Sequence, residues 1–169
     1  ALCGFGIFSS VFNFLPFHLA EPMFGFSTQD TTLLYLVYLV GVMIGPVTGK
    51  LSNRFGSGNT LLVGSAVLLS ALLMLLLPFT LAILVGLLLF CAGFFTIHAA
   101  AVGALNRKLD AGHGRANALY TLFYYVGGWV GITLSSFIYQ HFGWTALITC
   151  LITLLIMPVW TGIAERKHR

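Results

Sequence analysis

Charge is what this sequence has least of. Four acidic and eight basic side chains are spread over 169 residues, 7% of the chain, where soluble proteins carry roughly 25%. With 59% hydrophobic residues and a mean hydropathy of +0.98, there is more apolar surface than one soluble core can hide, so the expected solvent is lipid. Glu21, Asp30, Asp110 and Glu165 all lie at the edges of apolar runs or between them, which leaves no carboxylate in the middle of any run. Cysteine is scarce too. Cys3, Cys91 and Cys150 fall inside apolar runs with neither disulfide-framework nor metal-ligand spacing, so no structural metal and no cofactor is expected. The net charge of +4 comes from small scattered clusters. The dense basic patch that nucleic-acid binding needs is missing, which removes nucleic acid as a partner. There is no initiator Met, and no basic leader with a cleavage site. The chain opens at Ala1-Leu2-Cys3, already inside an apolar run, and reads as a piece of a longer membrane protein.

What is present is length of apolar run. A bilayer is spanned by about 17–25 apolar residues, and six runs qualify: 2–20, 31–49, 59–77, 80–104, 116–139 and 145–163. All eight Lys and Arg residues fall in alternate breaks. Lys50 and Arg54 lie in the second, Arg107, Lys108 and Arg115 in the fourth, and Arg166, Lys167 and Arg169 in the tail. By the positive-inside rule these breaks are cytoplasmic, as are both ends of the chain. Gly49-Lys50-Leu51-Ser52-Asn53-Arg54-Phe55-Gly56 reads as a short basic turn holding two spans tightly together.

A shift of 87 residues brings Gly6-Ile7-Phe8-Ser9 onto Gly93-Phe94-Phe95-Thr96, Tyr38 onto Tyr125, Gly41 onto Gly128, and Asn53-Arg54-Phe55-Gly56 onto Gln140-His141-Phe142-Gly143. The second helix of one three-helix unit ends inside and its copy ends outside, the inverted three-plus-three repeat of many secondary transporters. The predicted fold class is therefore all-α and polytopic, one six-helix unit over 1–169. Small residues recur every fourth position at Gly41, Gly45 and Gly49, and at Gly127, Gly131 and Ser135, making flat stripes where a second backbone can approach. Leu61–Leu77 and Ala146–Trp160 are dominated by Leu, Ile and Val, as expected of lipid-facing support. Tyr139 and Trp144 suit an outer aromatic belt and Trp160 an inner one, and His18 lies near the outer end.

Gly45-Pro46-Val47-Thr48-Gly49-Lys50-Leu51-Ser52-Asn53-Arg54-Phe55-Gly56 resembles the loop signature of the major facilitator superfamily, Gly-x-Leu-x-Asp-Arg-x-Gly followed by basic residues. Gly114-Arg115-Ala116-Asn117-Ala118-Leu119-Tyr120, continuing to Gly131 and Phe142-Gly143-Trp144, is similar to the loop and helix after the fourth span. Phe12-Asn13-Phe14-Leu15-Pro16 and Tyr124-Tyr125-Val126-Gly127-Gly128 resemble the bacterial drug:proton antiporters and arabinose-type exporters. Asn53 stands where the family prefers Asp, Ser57-Gly58 replace the basic pair, and the fourth span has no embedded Arg. These departures match a second half, spans seven to twelve, with the amino-terminal half missing.

The resemblance implies a secondary active transporter of the bacterial inner membrane. It would export small organic molecules such as drugs or sugars by alternating access, with protons as the coupling ion. It also implies roles by position. Ser9 and Asn13 on the first helix, with Pro16 one turn beyond, and Thr96 and His98 on the fourth are expected to line the substrate cavity. Tyr35 and Tyr38, and Asn117, Tyr120, Thr121, Tyr124 and Trp129, are offered by the gating helices, while Gly49, Lys50, Asn53, Arg54, Gly56 and Arg115 belong to the gating loops. Asn117, Tyr120, Thr121 and Tyr124 share a helical face by their spacing, and His98 is the only histidine or charged side chain well inside a span. Two other readings remain beside this one, a passive channel or facilitator and a non-transporting membrane scaffold. An intramembrane protease is disfavoured because Ser135-Ser136 and His98 lie toward opposite faces.

Overall fold

The computed structural model describes residues 1–167; Arg169, counted above in the basic tail, lies outside them. The described residues are helical throughout, apart from turns. They form α1 (Leu2–Leu19), α2 (Thr28–Leu34), a 3-10 turn (Tyr35–Tyr38), α3 (Leu39–Phe55), α4 (Ser57–Met74), α5 (Thr80–Arg107), α6 (His113–Leu154) and α7 (Ile156–Lys167). Five helical stretches are long and apolar enough to cross a membrane: Leu2–Leu19, Thr28–Phe55, Ser57–Met74, Thr80–Arg107 and His113–Lys167. The last, at 1.5 Å per residue, is far longer than the roughly 30 Å hydrocarbon core. It is broken at Gly143, whose φ of 76° and ψ of −172° lie where only glycine sits without strain.

The ends of the helices follow from local chemistry. Ser27 starts α2 with a capping box. Its hydroxyl accepts from Asp30 N–H at 3.2 Å while its own N–H donates to the Asp30 carboxylate at 2.9 Å. In the 3-10 turn that follows, side chains at i and i+3 eclipse. Tyr35 and Tyr38 consequently face the same way, with ring centroids 5.6 and 4.6 Å from that of Phe12 on α1. Pro16 has no N–H to offer the carbonyl four residues back, that of Phe12, and the Tyr35 hydroxyl donates to that carbonyl at 3.1 Å. Tyr35→Phe is expected to leave it unsatisfied and cost about 1 kcal/mol, read as a lower melting temperature in detergent; an unchanged melting temperature would count against the bond.

The basic segment at 49–56 is not a turn. Helix α3 runs through it to Phe55, and Gly56 alone, at φ 85° and ψ 155°, separates α3 from α4. A single residue able to take a left-handed φ suffices to redirect the chain, so the helical stretch is longer than the apolar run that marked it. The break between α4 and α5 centres on Pro78, as the sequence implies.

Trp144 also departs from expectation. It is 6% exposed instead of lying in a surface belt. Its indole N–H donates to the Leu75 carbonyl at 2.8 Å, one of the carbonyls that a helix C-terminus leaves without an internal partner. Its ring stacks on His18 at 4.5 Å. The break at Gly143 delivers this side chain to the end of α4, and from there the chain packs back along α4.

Two packing modes result. Helix α4 packs against α5 and α7, and its end meets the part of α6 beyond Gly143; Leu68 and Leu72 of α4, Leu75 at its C-cap, Ile83 and Leu87 of α5, and Leu147, Ile148 and Leu151 of α6 are all buried. The Leu-rich α4, expected as peripheral support, is therefore central to the packing. Helix α1 instead lies along the first part of α6 through small residues. Ser135 Oγ donates to Ser10 Oγ at 2.8 Å, and Ser10 Oγ donates to the Gly6 carbonyl at 2.6 Å. Of the five long stretches, Thr28–Phe55 is the least covered, and within α3 only Thr48 and Ser52 are buried.

Candidate functional site

Helices α5 and α6 diverge around His98. His98 and Val102 on α5 face Asn117, Tyr120, Thr121, Tyr124 and Tyr125 on α6 across a groove of about 340 Å³. Spacings of three and four residues put these groups on one face of each helix. The Tyr120 hydroxyl lies 3.1 Å from His98 Nδ1, leaving Nε2 as the imidazole's other proton site. Tyr124 lies 5.1 Å from His98, ring to ring, and stacks on Phe5 of α1 at 3.8 Å. A second cavity of about 220 Å³ shares His98, Tyr120 and Tyr124 with Phe5, Phe94, Met157 and Thr161. The histidine and its two tyrosines thus form a partition between two hollows. At one end of the groove Asn117 and Asn106 exchange amide hydrogen bonds at 2.9 and 3.3 Å. Such a surface offers hydroxyl, imidazole and amide groups beside stacked rings, and no carboxylate. It suits neutral or amphipathic organic molecules better than cations.

Of the other residues singled out by sequence, Ser9 is 7% exposed and lines neither of these two hollows. It donates to the Gly6 and Gly128 carbonyls at 3.2 and 3.3 Å, within the α1–α6 contact. Asn13 is exposed and donates to the Ser9 carbonyl at 2.8 Å. Thr96 accepts from Thr48 of α3 at 3.5 Å. Tyr38 belongs to an aromatic cluster with Phe8 and Phe12. Sequence reasoning named His98, Thr121 and Tyr124 and the structure brings them together; it leaves Ser9, Asn13, Tyr38 and Thr96 elsewhere. It overlooked Phe5 and Asn106, although Phe5 is signalled by standing one residue before the Gly6 repeat match.

Glycine positions differ sharply in surroundings. A Cβ at Gly131 would meet Gly6 Cα at 2.6 Å, and one at Gly127 would enter the Leu2 backbone. One at Gly41 would strike the Phe95 ring, whereas at Gly45 and Gly49 it would meet nothing within 4 Å. Among the loop residues, the Arg54 guanidinium sits 5.2 Å over the Phe55 ring. Lys50, Asn53 and Arg115 are exposed, and Gly56 is buried at the α3–α4 joint.

The molecule is thus a multi-pass membrane protein with a polar-aromatic groove between two of its helices. No family model matches the chain, and no solved structure matches it significantly. It is similar to the inner membrane transport protein YnfM of Escherichia coli, 31% identical over 97% of this chain and 39% of that protein. It is also similar to an uncharacterized transporter of Buchnera aphidicola subsp. Schizaphis graminum, at 26% over 96% of the chain and 39% of the relative. An uncharacterized MFS-type transporter of Bacillus subtilis, YybF, is 24% identical over 94% and 40%. The chain spans about two fifths of the length of these curated relatives. All three relatives are named as transport proteins.

Proposed function

We propose that this chain is the carboxyl-terminal, six-span half of a major-facilitator-type secondary transporter that moves small organic molecules across a bacterial inner membrane by alternating access. The observation that carries the reading is the convergence of His98, Asn117, Tyr120, Thr121 and Tyr124 on one groove in a chain whose relatives are named as transporters. In the six-span count, the chain before and after Gly143 supplies the fifth and sixth spans, and both ends lie in the cytoplasm. Helix α1 packs along α6 and α3 along α5, a pairing in keeping with an inverted three-plus-three repeat. Val42 and Met43 on α3 and Trp129 on α6 are 71–75% exposed, and with the open stripe at Gly45 and Gly49 they offer surface to an amino-terminal half.

With no carboxylate in the groove, His98 is the group that would exchange protons from this half, and its hydrogen bond to Tyr120 fixes where the imidazole points. The direction is export, and the resemblance favours the drug:proton and arabinose-efflux branch.

Topology is tested by single cysteines in the full-length protein. Asp30→Cys and His141→Cys should react with an impermeant maleimide in intact cells. Asp110→Cys should react only after permeabilisation, and its labelling in intact cells would sink the arrangement.

A further inference from the structure

The joint between α3 and α4 holds a third, larger hollow, apart from the groove at His98. It measures about 490 Å³ and is lined by Ser52, Asn53 and Phe55–Asn59 together with Arg107, Glu165 and Arg166. The first N–H groups of a helix have no internal acceptor, and no side chain caps those of α4. Two of the α3 carbonyls at this joint accept from other groups: Gly56 N–H donates to the Ser52 carbonyl at 2.9 Å and Asn59 Nδ2 to that of Phe55 at 2.8 Å. Ser57, Gly58 and Asn59, the first residues of this 18-residue helix, all line the hollow at its positive end.

Independently of that helix end, Ser52 is 6% exposed, and its hydroxyl has no hydrogen-bond partner among the described residues. A buried hydroxyl left unpaired is costly, and this one borders the same hollow. Arg107 is held in place by donating to Ser57 Oγ. Arg166 is held by its backbone, which packs so closely on Gly58 that a Cβ there would lie 2.8 Å from Arg166 N. The one carboxylate in the lining, Glu165, is neutralised by Lys108. Uncapped amides, a donor lacking an acceptor and two guanidinium groups together demand an anion with several acceptor oxygens.

We propose that this hollow is a phosphate-binding site, filled by the phosphate of an anionic lipid headgroup or by free phosphate. The proposal does not depend on what the protein transports.

The test is the melting temperature of the full-length protein in neutral detergent, titrated separately with short-chain phosphatidylglycerol, with inorganic phosphate and with phosphatidylcholine. Phosphatidylglycerol or inorganic phosphate should raise it by roughly 5 °C at saturation. Stabilisation by phosphatidylglycerol alone identifies the headgroup as the source, and stabilisation by inorganic phosphate identifies the free anion. Arg107→Gln, Arg166→Gln and Ser52→Ala should each weaken the response at least tenfold in midpoint concentration. Arg107→Lys should keep most of it, and Lys50→Gln, which removes a charge outside the lining, should keep all of it. The proposal fails if neither anion stabilises the protein, if phosphatidylcholine does so equally, or if Lys50→Gln loses as much as Arg107→Gln.

Discussion

Gly131→Leu is expected to abolish transport by the full-length protein and to lower its stability by about 3 kcal/mol or more. The added side chain has no space, because Gly6 Cα already lies 2.6 Å from where its Cβ would be. On α1 the obstacle is backbone, which cannot rotate aside as a side chain can. The two helices must separate, breaking the Ser135–Ser10 hydrogen bond and the Ser9 contact with the Gly128 carbonyl. Gly49→Leu is the matched control. Among the described residues, no atom beyond its own helical turn and chain neighbours lies within 4 Å of a Cβ there, so folding of the segment should be unaffected, and any loss of transport would report a contact made outside it. Fluorescence-detected gel filtration and thermal melting separate the two. A Gly131→Leu protein that melts like the parent would show that α1 and α6 are not in backbone contact.

His98→Gln should abolish flux driven by a pH gradient while leaving substrate exchange at equal pH in place. Glutamine preserves much of the size and polarity but cannot take up a proton, so the two assays separate proton exchange from packing. Tyr120→Phe, which removes the partner 3.1 Å away, should slow pH-driven flux about tenfold, corresponding to roughly 1.4 kcal/mol, through loss of imidazole orientation. Undiminished pH-driven flux in His98→Gln would move proton coupling to residues outside this chain.

Much of the fold is legible in the sequence because lipid imposes simple rules. Run length marked most of the helical stretches, and Pro78 marked a break that the structure keeps. The misreadings have physical causes. The segment at 49–56 looks like a turn because Lys50, Asn53 and Arg54 are polar, but a helix emerging into water stays helical until something stops it, and here Gly56 does. Trp144 looks like a belt residue because tryptophan favours interfaces, yet an indole N–H can equally satisfy an orphan carbonyl, and composition cannot choose between these. The groove was half visible. The spacing of Asn117, Tyr120, Thr121 and Tyr124 announces a common face, and His98 stands alone in its span. Ser9 carries no mark separating a hydroxyl that packs between helices from one that meets solvent. The hollow at Ser52 could not be read at all, since its lining comes from the ends of α3, α4, α5 and α7.

Pro16 leaves α1 with a carbonyl that its own helix cannot satisfy. Elsewhere in a helix each carbonyl is held by an amide of the same rod, and bending does not release it. The Phe12 carbonyl is held across a gap by the Tyr35 phenol at 3.1 Å, so that bond lasts only while two separate rods keep their spacing. An ångström or two of relative sliding breaks it and uncovers an acceptor at mid-helix, turning a change of tilt into a change of chemistry. A hydroxyl-bearing guest or a water molecule arriving then finds an acceptor that the intact Tyr35 bond covers.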